Sequence, residues 1–146
     1  MDKLKWWFRI YGALYLLLGV MNLYFVLFNA PGMGDTLTPA MAKDPLAVLA
    51  FTDGWSPFAF EMFGIGTFLL WASRNPLRNV SVVWFAIWLE LLHGLVDDWY
   101  LVARGYDVTQ YIAFSVLHIV IIVTGIIFAR QAESQNQVGA RAAQPA

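Results

Sequence analysis

Four long apolar stretches leave this 146-residue chain little freedom in what it can fold into. They run from Trp6 to Phe28, Pro57 to Ala72, Val80 to Ala103 and Val108 to Ala129. A bilayer-crossing helix needs about 20 predominantly apolar residues, and only helices or closed barrels satisfy their backbone within hydrocarbon. The second stretch is short, which predicts an earlier start, little tilt or a locally thinned bilayer. With 60% hydrophobic and 13% charged residues, the chain falls outside the range of soluble domains. The expected fold is an all-α integral membrane protein. A four-transmembrane-helix bundle occupies residues 1–130, and a polar, disordered cytoplasmic tail occupies 131–146.

A cleaved leader is the rival reading of the first stretch. Lys3, Lys5 and Arg9 resemble its basic start. The apolar run nevertheless continues from Ile10 to Phe28, and no small-x-small cleavage pattern precedes Pro31, so a retained span is expected. Orientation follows from the cations. With the N-terminus inside, seven of nine (Lys3, Lys5, Arg9, Arg74, Arg78, Arg130 and Arg141) lie on the cytoplasmic side, against Lys43 and Arg104 outside. This positive-inside bias places both termini in the cytoplasm. Most of the seven tryptophans then become interfacial anchors, with Trp6, Trp7, Trp71 and Trp84 inside and Trp55 and Trp99 outside. Only Trp88 falls near mid-membrane.

Local punctuation agrees. Asn29-Ala-Pro31-Gly32 closes the first span, and Ser56-Pro57 reads as a cap and first-turn proline opening the second. Gly105 suits the end of the third helix, and Asp107-x-x-Gln110 is a capping-box variant opening the fourth. In the long outer connection, Asp44-Pro45 followed by an apolar run to Phe51 predicts a short extracytoplasmic amphipathic helix. It would lie on the membrane or lid the bundle.

The polar residues inside these stretches carry the functional signal. A charged side chain at the bilayer centre costs about 2.5–3.5 kcal/mol even on lenient scales, so retained ones need a partner, a ligand or a task. Glu90, His93 and Asp97 share one stripe of the third helix, Arg104 extends it outward, and Asp98 turns away. Tyr111, Ser115 and His118 align on the fourth, and Tyr11, Tyr15 and Asn22 on the first. Glu61 stands one turn inside the outer end of the second. At about 1.5 Å per residue, Asp97 and Glu61 lie about 6 Å below the outer boundary, Asn22 about 9 Å, and His93 about 12 Å. Glu90 and His118 lie deepest, at about 15–16 Å. Four helices thus direct polar groups to one level, which predicts an outward-opening pocket. Glu61, Glu90, His93 and His118 are the candidate catalytic groups; Asn22, Asp97, Tyr111, Ser115 and Arg104 are candidate ligand-binding groups.

Each group also has a structural reading. Asn22 and Ser115 suit interhelical hydrogen bonding, Tyr11 and Tyr111 suit interface anchoring, and His118 alone suits a satisfied core histidine. A net charge of −1 offers no basic patch for nucleic acid. The absence of cysteine excludes disulfides, thiolate metal sites and covalently attached c-type haem. Glu90-x-x-His93 matches one Glu-x-x-His element of di-iron bundles, which need two. His93, His118 and Glu90, with Glu61 or Asp97, could hold zinc or non-haem iron, and two histidines at similar depth could hold b-type haem. Without metal, Glu61 and Glu90 suit proton exchange with His93 or His118 beside a small lipophilic ligand. The cofactor stays open between these readings. A non-catalytic accessory subunit locked by polar contacts is the rival class.

Lys5-Trp-Trp-Phe-Arg-Ile-Tyr-Gly-Ala-Leu-Tyr-Leu-Leu-Leu-Gly19, Glu61-Met-Phe-Gly-Ile-Gly66 and Leu89-Glu-Leu-Leu-His-Gly-Leu-Val-Asp-Asp98 resemble the BphX-like bacterial membrane proteins, close in architecture to the DoxX-like group. The likeness spans roughly residues 3–130. It implies a four-helix protein of the bacterial inner membrane, in some cases associated with aromatic-compound or redox metabolism. It names no catalytic residue. The partners expected are the lipid bilayer and a small lipophilic ligand, with a second copy or a membrane-complex subunit left open.

Overall fold

The computed structural model describes residues 2–142, all helix, turn and loop with no strand among them. Four long helices carry the fold: α1 (Asp2–Phe28), α2 (Pro45–Ala72), α3 (Val80–Ala103) and α4 (Val108–Ala142). Three of them, α1, α3 and α4, are long and apolar enough to cross a membrane.

The helix limits have local causes. Asp44 caps α2 by accepting a hydrogen bond from the Leu46 amide at 2.9 Å, with Pro45 in the first turn where its missing N–H costs nothing. At the other end of α2, the Asn79 side chain donates to the carbonyls of Ala72 and Asn75, both at 3.0 Å, adding to the backbone bonds those carbonyls accept in the turn. The end of α3 is a glycine cap. Gly105 adopts φ +88°, and the amides of Tyr106 and Gly105 return to the carbonyls of Leu101 and Val102. Asp107 then accepts from the Gln110 amide at 2.9 Å and starts α4.

Two expected boundaries are corrected. The segment after Asp44-Pro45 is not a separate short helix; it forms the first turns of α2, which runs unbroken through Pro57. Proline there deprives the Asp53 carbonyl of its helical donor, and the Ser56 hydroxyl donates to that carbonyl at 2.9 Å instead. The loop before α2 holds two short 3₁₀ turns, Ala30–Thr36 and Met41–Lys43. The segment from Gln131, expected as a disordered tail, continues α4 as helix to Ala142, while residues 143–146 lie outside the described residues. Ala132 is buried, Glu133 accepts from the Trp84 indole at 2.8 Å, and Asn136 donates to the Leu77 carbonyl at 3.3 Å. These contacts dock the extension against the base of α3.

Lipid tails are as apolar as leucine, so helices in a membrane associate through close packing and hydrogen bonds rather than through expulsion of water. The α1–α2 pair shows the first device. Gly12 and Gly19 of α1 face Leu70 and Phe63 of α2, so the helices run antiparallel and in register along most of α1. A Cβ on Gly19 would lie 2.6 Å from the Phe63 amide nitrogen, and one on Gly66 would overlap the backbone of Leu16. The core lies toward the end of the bundle where α1 begins and α2 ends: Leu4, Phe8, Leu69, Ala72, Val83 and Ala129 are buried there. Toward the opposite end the four helices enclose a cavity instead.

Trp7 and Trp55, expected as interfacial anchors, face inward. Trp7 is buried and its indole donates to the Thr124 hydroxyl at 3.2 Å; Trp55 donates to the Asn22 side-chain carbonyl at 2.8 Å. Trp6, Trp71, Trp88 and Trp99 are exposed on the outside.

Candidate functional site

The site begins with an irregularity in α3. Residues Glu90–Val96 form a π-helical turn between the α-helical segments Val80–Leu89 and Asp97–Ala103. Its wider spacing inserts one extra residue into the turn, so every side chain beyond it is rotated relative to a regular helix. Asp98 therefore occupies the face that regular spacing assigns to Asp97.

Glu90 opens this turn and is fully buried, at 0% exposure. A carboxylate there must be compensated, and three side chains from two other helices do so. The hydroxyls of Tyr11 and Tyr15 on α1 donate to Oε1, the latter at 2.5 Å. His118 Nδ1 on α4 lies 2.5 Å from Oε2. Beyond His118 the chain of polar groups continues. Its Nε2 is 3.8 Å from Asp98 Oδ2, which also accepts from the Ser115 hydroxyl at 2.7 Å. Asp98 is only 5% exposed. One histidine thus sits between two buried carboxylates. Among the described residues no buried side-chain nitrogen or oxygen lacks a partner.

Next to this network lies a cavity of about 250 Å³. Tyr15, His118 and Asp98 reach its wall from the network, and Asn22, His93, Asp97 and Tyr111 line it from elsewhere. Its remaining surface is largely apolar, with Leu14, Phe51, Trp55, Phe58, Met62 and Phe114 prominent. Met33 and Thr36 of the first 3₁₀ turn close one side, and the Thr36 hydroxyl fixes that turn by donating to the Met33 carbonyl at 2.8 Å. Phe58 meets the His93 imidazole edge-on, with ring centroids 5.7 Å apart.

Most of the expected site residues converge, but not all. Glu90 and His118 are bonded to one another, Ser115 joins them through Asp98, and Asn22, His93, Asp97 and Tyr111 share the cavity. Glu61, expected among the catalytic groups, is exposed on the outer face of α2 and does not line the cavity. Gly66, rather than Glu61, marks the face of α2 that meets α1. Arg104 is also outside the cavity; it is exposed with its guanidinium 5.2 Å above the Tyr100 ring. Asp98, read from regular spacing as turned away, belongs to the network, as do Tyr11 and Tyr15, which the sequence aligned on one face of α1 but did not place among the candidate site residues. His93, His118 and Glu90 do not assemble as metal ligands: no cluster of three histidine, aspartate or glutamate side chains among the described residues has a metal-holding geometry.

The glycines complete the local account. A Cβ at Gly94, in the middle of the π turn, would lie 2.6 Å from His118 Cγ and Nδ1. Only a glycine lets the imidazole press flat against α3 at this depth.

Comparison with known proteins places the chain. Residues 1–134 match the family described as BphX-like. The chain belongs to the BphX-like family. Together with its apolar helices, this makes it a small membrane protein. No curated protein and no solved structure matches it.

Proposed function

We propose that this BphX-like chain is a four-span inner-membrane protein that takes up a small lipophilic molecule between its helices. The observation that carries this reading is the juxtaposition of an apolar cavity with a buried, fully partnered carboxylate–histidine network. A purely structural lock has no need of empty space beside it. Well-packed interiors leave few voids larger than a water molecule, and an engineered cavity of about 150 Å³ holds benzene. The volume here, about 250 Å³, suits a molecule of one or two rings.

The network supplies the polar end of the site. Glu90 does not face the cavity; it orients Tyr15 and His118, which do. His118 lies between Glu90 and Asp98, an arrangement suited to exchanging a proton with a bound molecule. The four-span topology draws support from α2, which lies alongside α1 from the Asn22–Trp55 contact to the Gly12–Leu70 contact. A helix so paired shares the depth of its partner. Cytoplasmic termini follow from the distribution of lysine and arginine.

A non-catalytic accessory subunit is the second reading, favoured by the absence of unpartnered buried polar atoms among the described residues. One experiment separates the two. Full-length protein in zwitterionic nanodiscs is titrated with 2-phenylethanol, with empty nanodiscs as reference. Saturable binding that is abolished in Met62→Trp, with helicity retained, supports the cavity reading. Non-saturable partition identical to that of empty discs supports the accessory subunit.

A further inference from the structure

We propose that the cavity prefers a lipophilic cation, a protonated amine carried on one aromatic ring or a comparable apolar group. This deepens the ligand-binding reading above and rests on it. Three features of the cavity point the same way.

The first is the sign of its charge. Among the described residues no lysine or arginine lines the cavity, while Asp97 and Asp98 both do. Arg104, which could have balanced them, is held outside over Tyr100. Of the two histidines on the wall, His118, if charged, is shared between Glu90 and Asp98, and His93 lies near Asp97; even with both charged, the three carboxylates Glu90, Asp97 and Asp98 outnumber them.

The second is the unequal partnering of the two aspartates. Asp98 is bonded to Ser115 and faces His118. Asp97 reaches the same space with no hydrogen bond or salt bridge among the described residues, the His93 imidazole being the one basic group that acts on its charge. An arriving ammonium would supply one, because a charge-assisted hydrogen bond is roughly twice as strong as a neutral one.

The third is the aromatic wall. Trp55 is stacked on Phe51 and meets Phe58 edge-on at 4.7 Å, and Tyr111 meets Phe114 across 6.3 Å. The negative faces of such rings attract cations, most strongly where water is excluded, and they repel anions. The same wall takes the apolar part of the ligand. An anion would meet two carboxylates, with the two histidines already beside them and no lysine or arginine among the lining residues to compensate; a neutral alcohol would forgo the pairing with Asp97.

Three near-isosteric probes test this: phenethylamine, 2-phenylethanol and phenylacetate, each titrated into full-length protein in zwitterionic nanodiscs and corrected for empty discs. Phenethylamine is expected to bind at least tenfold more tightly than 2-phenylethanol, with phenylacetate weakest. Asp97→Asn should reduce the preference for amine over alcohol by about tenfold while the helicity is retained. Equal or tighter binding of the alcohol or the carboxylate overturns the preference for cations but leaves the cavity reading standing. A preference for the amine that survives both Asp97→Asn and Asp98→Asn overturns the assignment of that preference to the two aspartates. Binding of none of the three removes the cavity reading and this inference together.

Discussion

Gly94 and His118 are in contact across the α3–α4 interface, and the contact is what allows His118 Nδ1 to reach the buried Glu90. A methyl group at position 94 would occupy the space of the imidazole, whose Nδ1 would lie 2.6 Å from the new carbon. The ring cannot retreat without lengthening its bond to Glu90. Gly94→Ala is therefore expected to destabilise the protein by about 1–3 kcal/mol, the usual cost of overpacking, despite the better helix propensity of alanine. Unfolding in detergent measures it. In a His118→Ala background the same substitution should cost little, since the obstructing ring is gone. An equal loss in both backgrounds would place the strain elsewhere.

Glu90 is the acceptor on which three donors depend, so its removal is felt through them. Leaving a buried donor unsatisfied costs about 1–3 kcal/mol, whereas removing both partners together costs little. In the native protein, Tyr11→Phe and Tyr15→Phe should each lower stability. In Glu90→Leu the same substitutions should raise it, because each then deletes an orphaned hydroxyl. This reversal of sign distinguishes a hydrogen-bonded cluster from side chains that pack independently. Uniform destabilisation in both backgrounds would count against the cluster.

Gly64 and Gly66 stand two residues apart on α2 and should respond oppositely to alanine. Around Gly64 nothing lies within 4 Å of a Cβ, whereas a Cβ on Gly66 overlaps the α1 backbone at Leu16 and lies 2.9 Å from the Gly12 carbonyl oxygen. Gly64→Ala is expected to be neutral or stabilising by up to about 1 kcal/mol. Gly66→Ala must push α1 and α2 apart and should cost at least about 2 kcal/mol, since backbone offers no rotamer through which to relieve the overlap. Thermal unfolding of the two variants side by side tests this pairing of α1 with α2.

The sequence signals that proved legible were those set by depth and local chemistry. Glu90 and His118 were placed at one level by counting residues from the span ends, and they meet. Asp107 and Gly105 cap the helices that their chemistry predicts. The illegible parts have physical reasons. The π turn after Glu90 shifts the register by one residue, so regular spacing selected Asp97 and discarded Asp98. In α2, apolar residues surround the helix and give no preferred face. Glu61 was therefore assigned by depth alone, although it lies about 140° around the helix from Gly66 at 100° per residue. Pro57 looked like a start because sequence cannot show the Ser56 hydroxyl supplying the donor that proline lacks. The helical extension to Ala142 depends on tertiary contacts with Leu77 and Trp84, which local polarity hides.

The number of crossings has a direct consequence for the termini. Three helices meet the length and hydropathy expected of a span, and α2 is the one whose apolar stretch is interrupted by Glu61. If α2 crosses with α1, the count is even and both ends of the chain share a side; if it does not, they lie on opposite sides. Its antiparallel registry with α1 favours crossing. The portion from Trp55 to Ala72 is about 27 Å long at about 1.5 Å per residue, close to the hydrocarbon thickness of about 30 Å. The chain contains no cysteine, so single cysteines can be placed without background. Lys3→Cys and Gln137→Cys are expected to resist a membrane-impermeant maleimide applied to intact spheroplasts, and both should react after permeabilisation. Lys43→Cys, in the loop between α1 and α2, should react from outside. Labelling of Gln137→Cys in intact spheroplasts with Lys3→Cys protected would mean that α2 does not cross, and the enclosed cavity would then lose one of its membrane-embedded walls.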